Sequence, residues 1–141
     1  MHKYINDNRY FAWLEFLVSR KHQGLAAQIE LTPARMDLIE YWVETCGDPW
    51  RLSHPQNQLI ITSGIRSEAL NTALKGSAGS DHVYGFAVDG YVVGMTAPQY
   101  FCSILEIGLP YRQLILYLKK KFVHWSINMP GRPYKHEARI F

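Results

Sequence analysis

The chain has 141 residues, enough for one hydrophobic core without disulfide staples. It is 48% apolar, 19% charged and 13% aromatic, which excludes a disordered or fibrous protein and predicts a single domain over residues 1–141. The net charge of +3 is mild and the cations are scattered apart from Lys119-Lys120-Lys121, so no nucleic-acid partner is expected.

No apolar run approaches the length of a membrane span, and residues 1–9 lack the apolar core of a signal peptide. The expectation is a soluble chain made in a host cytoplasm, with no membrane partner. Cys46 and Cys102 fall on helical faces outside any CxxC pairing and read as two buried thiols.

In chain order, residues 9–20 carry Phe11, Trp13, Leu14, Phe16, Leu17 and Val18, a dense apolar patch that reads as a helix or an extended arm across the core. Thr32-Pro33 starts a helix, with a hydroxyl at the N-cap and proline at the first helical position, and Gly47 and Asp48-Pro49 stop it. A polar turn containing a solvated His54 leads to a strand at Leu59-Ile60-Ile61-Thr62. After the turn Ser63-Gly64-Ile65-Arg66, Ser67 caps a short helix that ends at Gly76.

Residues 86–93 read as a strand buried on both faces, with Asp89 in its middle. Thr96-Ala97-Pro98 starts another helix, which closes at Gly108. Residues 113–118 and 122–127 form a hairpin around the three lysines, which read as a solvated turn, and residues 134–141 form a terminal strand. Helices come mainly first and strands last, so the predicted class is α+β, with N-terminal helices packed on a small, largely antiparallel sheet.

An ionised aspartate inside a buried strand needs a partner, because a lone buried carboxylate costs several kcal/mol. Two imidazoles and a carboxylate with an open fourth position would make a catalytic zinc site, and His82, Asp89 and His124 are the candidates. On chemistry alone a hydrogen-bonded core histidine and an Asp89-Gly90 turn explain the same residues.

Ser80 to Asp89 reads SDHVYGFAVD and resembles SxHxxGxAxD, a motif of the zinc D-Ala-D-Ala carboxypeptidase and hedgehog superfamily. Ile61-Thr62-Ser63-Gly64-Ile65-Arg66-Ser67 with Leu70-Asn71 is similar to that superfamily's ITSGYRSxxLN, and Phe122-Val123-His124-Trp125-Ser126 to its WVHVS. The three blocks keep the superfamily's order over most of the chain, closest to small peptidases of phages and prophages. The resemblance implies that His82, Asp89 and His124 bind zinc and that Arg66 and Ser80 hold substrate, here a peptidoglycan stem peptide. A planar guanidinium suits capture of a peptide carboxylate or carbonyl.

Active members carry QLIxE before the last block, the glutamate moving a proton from water to the leaving amine. This chain reads Gln113-Leu114-Ile115-Leu116-Tyr117-Leu118, so Tyr117 takes the glutamate's place, or Leu118 if the hairpin loop is counted differently. Glu106, His136 and Glu137 are the other groups considered for proton transfer. The expected function is a zinc-dependent peptidase cutting a peptide bond in peptidoglycan, released to the cell wall or carried with other virion proteins. The alternative is a zinc-binding structural or wall-binding virion protein that has lost the chemistry with the glutamate.

Overall fold

The computed structural model describes residues 3–7 and 9–141. Met1, His2 and Asn8, part of the stretch read for a signal peptide, lie outside the described residues. Among those described, the helices are α1 (Gln23–Ala27), α2 (Pro33–Trp42), α3 (Asp48–Ser53), α4 (Glu68–Ala73), α5 (Asp81–Tyr84) and α6 (Ala97–Ile107). The strands are β1 (Leu59–Ser63), β2 (Ala87–Val92), β3 (Gln113–Tyr117), β4 (Phe122–Ser126) and β5 (Glu137–Ile140). No described helix is long and apolar enough to cross a membrane.

The residues read as helix starts behave as such. The hydroxyl of Thr32 accepts the Arg35 N–H at 3.3 Å, Ser67 accepts that of Leu70 at 3.1 Å, and Thr96 with Gln99 closes a reciprocal cap on α6. The expected stop after α2 is corrected. One π-helical turn, Val43–Gly47, carries the chain directly into α3. Gly47 serves close packing there, since a Cβ would lie 2.6 Å from the Trp42 ring and 2.8 Å from that of Phe11. Pro49 falls in the first turn of α3 and has no N–H to give to the π-helical turn that precedes it.

The sheet runs β1-β2-β4-β3-β5. Every neighbouring pair is antiparallel except β3 with β5, so the terminal strand returns parallel to the first strand of the hairpin. The α+β class and the largely antiparallel sheet agree with the sequence pattern.

Because side chains alternate along a strand, the two sheet faces carry different chemistry. Val88, Leu114, Leu116, Val123 and Trp125 occupy one face and are buried. Against them lies an aromatic cluster in which Trp42 meets Trp125, Phe11 and Phe16 edge-on with centroids 5.4, 5.8 and 5.9 Å apart. The segment 9–20 supplies Phe11 and, at the end of a 3₁₀ turn over Trp13–Phe16, Phe16, whose carbonyl accepts the Ile65 N–H at 2.9 Å.

Two smaller readings are corrected. His54 is half-buried and stacks on Trp50 at 4.4 Å instead of standing in solvent. Cys46 is buried as expected, but Cys102 is exposed because it falls on the outer side of α6.

Candidate metal site

The opposite sheet face carries the site. Asp89 on β2 is registered directly against His124 on β4, and His124 against Ile115 on β3, so these side chains share one face. Tyr117, two residues beyond Ile115, lies on the same face. At the end of β1 the register slips between Ile61 and Ser63, and this irregularity brings Ser63 level with Asp89. His82 arrives from outside the sheet, on the single turn of α5. Ser80 starts that turn, its hydroxyl accepting the His82 N–H at 3.2 Å.

Three donor groups converge. One ligand atom each from His82, Asp89 and His124 lies within 4.8 Å of the others. His124 Nδ1 is 2.8 Å from one carboxylate oxygen of Asp89, and His82 Nε2 is 3.2 Å from the other. The His82 ring is buried, and its Nδ1 is 2.7 Å from the Gly64 carbonyl. A carbonyl only accepts, so Nδ1 carries the proton and the neutral ring presents a bare Nε2 lone pair to the site.

That lone pair has no hydrogen-bond partner and points at an electron-rich oxygen. Protonating Nε2 would relieve the conflict, but burial pushes the His82 pKa down, against the pull of Asp89. A cation between the groups would relieve it as well. Burial opposes the charge on Asp89, yet its carboxyl is held well below the ordinary range, with His124 Nδ1 2.8 Å from one of its oxygens, so it stays an anionic donor. Two nitrogens and one anionic oxygen are a fitting set for zinc.

Arg66 is held beside this group at three points. Its Nη2 lies 3.4 Å from Asp89, its Nε donates to the Ser63 hydroxyl at 3.1 Å, and its Nη1 donates to Asn71 Oδ1 at 3.1 Å. Asn71 also donates to the Ser77 carbonyl at 2.9 Å and so ties the loop before α5 to the arginine. Gly76 makes room for this, since a Cβ there would come within 2.0 Å of Asn71 Oδ1.

The group opens into a cleft of about 430 Å³ whose walls include Arg66, Ser80, Gln113, Tyr117 and Phe122. Residues 10–126 match the family model described as Peptidase M15. The chain belongs to the Peptidase M15 family. A search of curated proteins returned no match. Membership in Peptidase M15 makes the protein metallopeptidase-like, and its match spans all three motifs as well as Tyr117.

Set against the expectations, the structure brings Arg66, Ser80, His82, Asp89, Tyr117 and His124 to one cleft. Among the described residues lining it, the acids are Asp81 and Asp89. Glu106, His136 and Glu137 stand outside that lining: Glu106 is exposed on α6, His136 stacks on Tyr111 at 4.3 Å, and Glu137 pairs with Arg139 at 2.8 Å. Tyr117 stacks on Phe122 at 4.6 Å. Burial, and then the nearby Asp89, raise its pKa against the opposing pull of Arg66, so the phenol stays protonated at neutral pH.

Sequence reasoning missed the cluster that braces His82 from behind. Asp81 is buried and takes hydrogen bonds from Arg112 at 2.8 Å and Arg132 at 2.6 Å. Burial works against its charge, while Arg132, Ser126 and Arg112 hold its carboxyl below the ordinary value. The available signal was an acid flanking a candidate ligand, with an arginine just before the strand run at Gln113.

Proposed function

We propose that the protein is a zinc-binding peptidase of bacterial cell-wall peptides. The observation that carries the reading is the convergence of His82 Nε2, His124 Nδ1 and the Asp89 carboxylate at the floor of a cleft that also holds Arg66. A zinc ion held there would supply Lewis-acid chemistry, polarising a peptide carbonyl and making water more acidic. Arg66, fixed by Ser63, Asn71 and Asp89, is placed to orient a peptide carboxylate or carbonyl. The Tyr117 phenol donates a hydrogen bond to a developing oxyanion. Ser80 steadies His82 through its backbone N–H and presents its remaining hydrogen-bonding capacity to the ligand. The motif resemblance to phage and prophage peptidases supports a stem peptide of peptidoglycan as substrate and a phage or prophage origin.

A second reading has its own observation. Tyr117 stands where the resemblance places the proton-transferring glutamate, and a raised phenol pKa makes it a poor base. In this reading the protein binds zinc and the wall peptide, as a virion or wall-binding component, without cutting.

Metal analysis of protein purified without chelator, followed by incubation with purified stem-peptide fragments, tests both. One zinc per chain, lost in His82→Ala, and release of a new amine support the peptidase. Zinc with stable peptide binding and no amine release supports the binding protein. Absence of zinc from the wild-type protein after loading overturns both readings.

A further inference from the structure

The cleft carries two cations that the metal group does not use. Lys75, in the turn after α4, and Lys120, in the β3–β4 turn, both line it. Of the three consecutive lysines only Lys120 does so. Among the described residues neither Lys75 nor Lys120 is in an ion pair, and both acids of the lining are engaged elsewhere. Asp81 is held by Arg112 and Arg132, and Asp89 by the two imidazoles and Arg66. The backbone of Lys75 is left-handed, with φ of 56°, a position just past a helix end where glycine or asparagine is the ordinary choice. A long cation is therefore carried beside the cleft on backbone that does not favour it. A metal at the His82–Asp89–His124 group would make the same cleft still more positive.

We propose that Lys75 and Lys120 form a carboxylate-binding subsite, so that the cleft selects an acidic peptide whose second carboxylate lies away from the group oriented by Arg66. This rests on the reading of the cleft as a peptide-binding metal site. Both lysines are exposed, so the selection acts through screened ion pairs and weakens as salt rises.

The test uses zinc-loaded protein and N-acetylated alanine tetrapeptides, of L and D configuration, in which one position at a time carries Glu or its neutral isostere Gln. Calorimetry gives Kd, or KM where a peptide is turned over, at low and high salt. At one position the Glu peptide is expected to bind about three- to ten-fold tighter than its Gln counterpart at low salt. The Lys75→Gln/Lys120→Gln variant is expected to lose this preference while keeping its zinc. The Lys119→Gln/Lys121→Gln variant is expected to retain it, which separates the subsite from bulk charge. The subsite alone is overturned if the wild type shows no preference at any position, if the first variant keeps the preference, or if the second loses it. A wild-type protein that takes up zinc but binds no peptide of the panel overturns both the subsite and the peptide-binding reading.

Discussion

Arg112 Nη1 stands 2.8 Å from both carboxylate oxygens of Asp81, and the two residues are 5% and 4% exposed. The pair joins α5, which carries His82, to the start of β3. Arg132 closes the cluster from the turn after β4 and also donates to the Gly79 carbonyl at 3.0 Å. Removing Arg112 leaves the buried Asp81 charge, among the described residues, with Arg132 as its one ion-pair partner. Arg112→Met is therefore expected to destabilise the fold by about 1–3 kcal/mol, and the Arg112→Met/Asp81→Asn double variant by less than the sum of its single changes. Urea denaturation of the three variants measures this, and an Arg112→Met cost below about 1 kcal/mol would show that the pair bears little load.

Metal binding should be visible as stability. A site assembled only in the folded chain gains about 2.7 kcal/mol when free zinc is a hundred times its Kd. Thermal scans of the wild type should shift upward with added zinc and return with chelator. The Asp89→Ala and His124→Ala variants should show no such shift. A zinc-dependent shift that persists in both would place the metal elsewhere.

Tyr117 offers a gain-of-function experiment. If proton transfer is the missing step, Tyr117→Glu is expected to raise stem-peptide hydrolysis by about 10²–10⁴-fold over the wild type, the usual contribution of a positioned acid or base. Tyr117→Phe tests the donor role in the opposite direction, since an active wild type should lose rate when the hydroxyl goes. Equal rates in all three proteins would remove position 117 from the chemistry.

The two thiols should differ sharply. Burial pushes the Cys46 thiol from about 9 up to about 12, opposed only by a hydrogen bond to Thr45, whereas Cys102 is exposed. At pH 8 a thiol-specific reagent should label one cysteine in the native protein and two in denaturant. The folded chain also keeps the Cys46 proton where the unfolded chain has lost it. Stability should therefore be full below about pH 9 and fall by about 1.4 kcal/mol per pH unit towards pH 12. Tyr100, whose pKa burial also raises, steepens the decline. Denaturation midpoints measured from pH 8 to pH 11 check the slope.

Much of this was legible in the residues because short-range chemistry set it. Thr32, Ser67 and Thr96 cap helices through their own hydroxyls, and the apolar residues around Asp89 and His124 mark the strands that carry them, while the β2–β4 register that sets the two opposite each other is a long-range pairing. What escaped depended on contacts made at long range. Gly47 and Pro49 carry ordinary stop signals, but the packing of Trp42 and Phe11 around that glycine keeps the chain helical. The Asp81 cluster joins residues 31 and 51 positions apart, which no local pattern encodes. Cys102 looked buried because the helix it sits on is apolar, yet the outward side of that helix is decided by where the sheet lies.

The Phe16 carbonyl holds the Ile65 N–H, and the neighbouring Gly64 carbonyl holds His82 Nδ1. The aromatic arm is thus only two hydrogen bonds and one peptide unit away from the ring of a candidate ligand. An expression fragment trimmed to begin after residue 17 would forfeit more than core packing. It would loosen the peptide plane that orients the imidazole, and the loss would register as weakened zinc affinity.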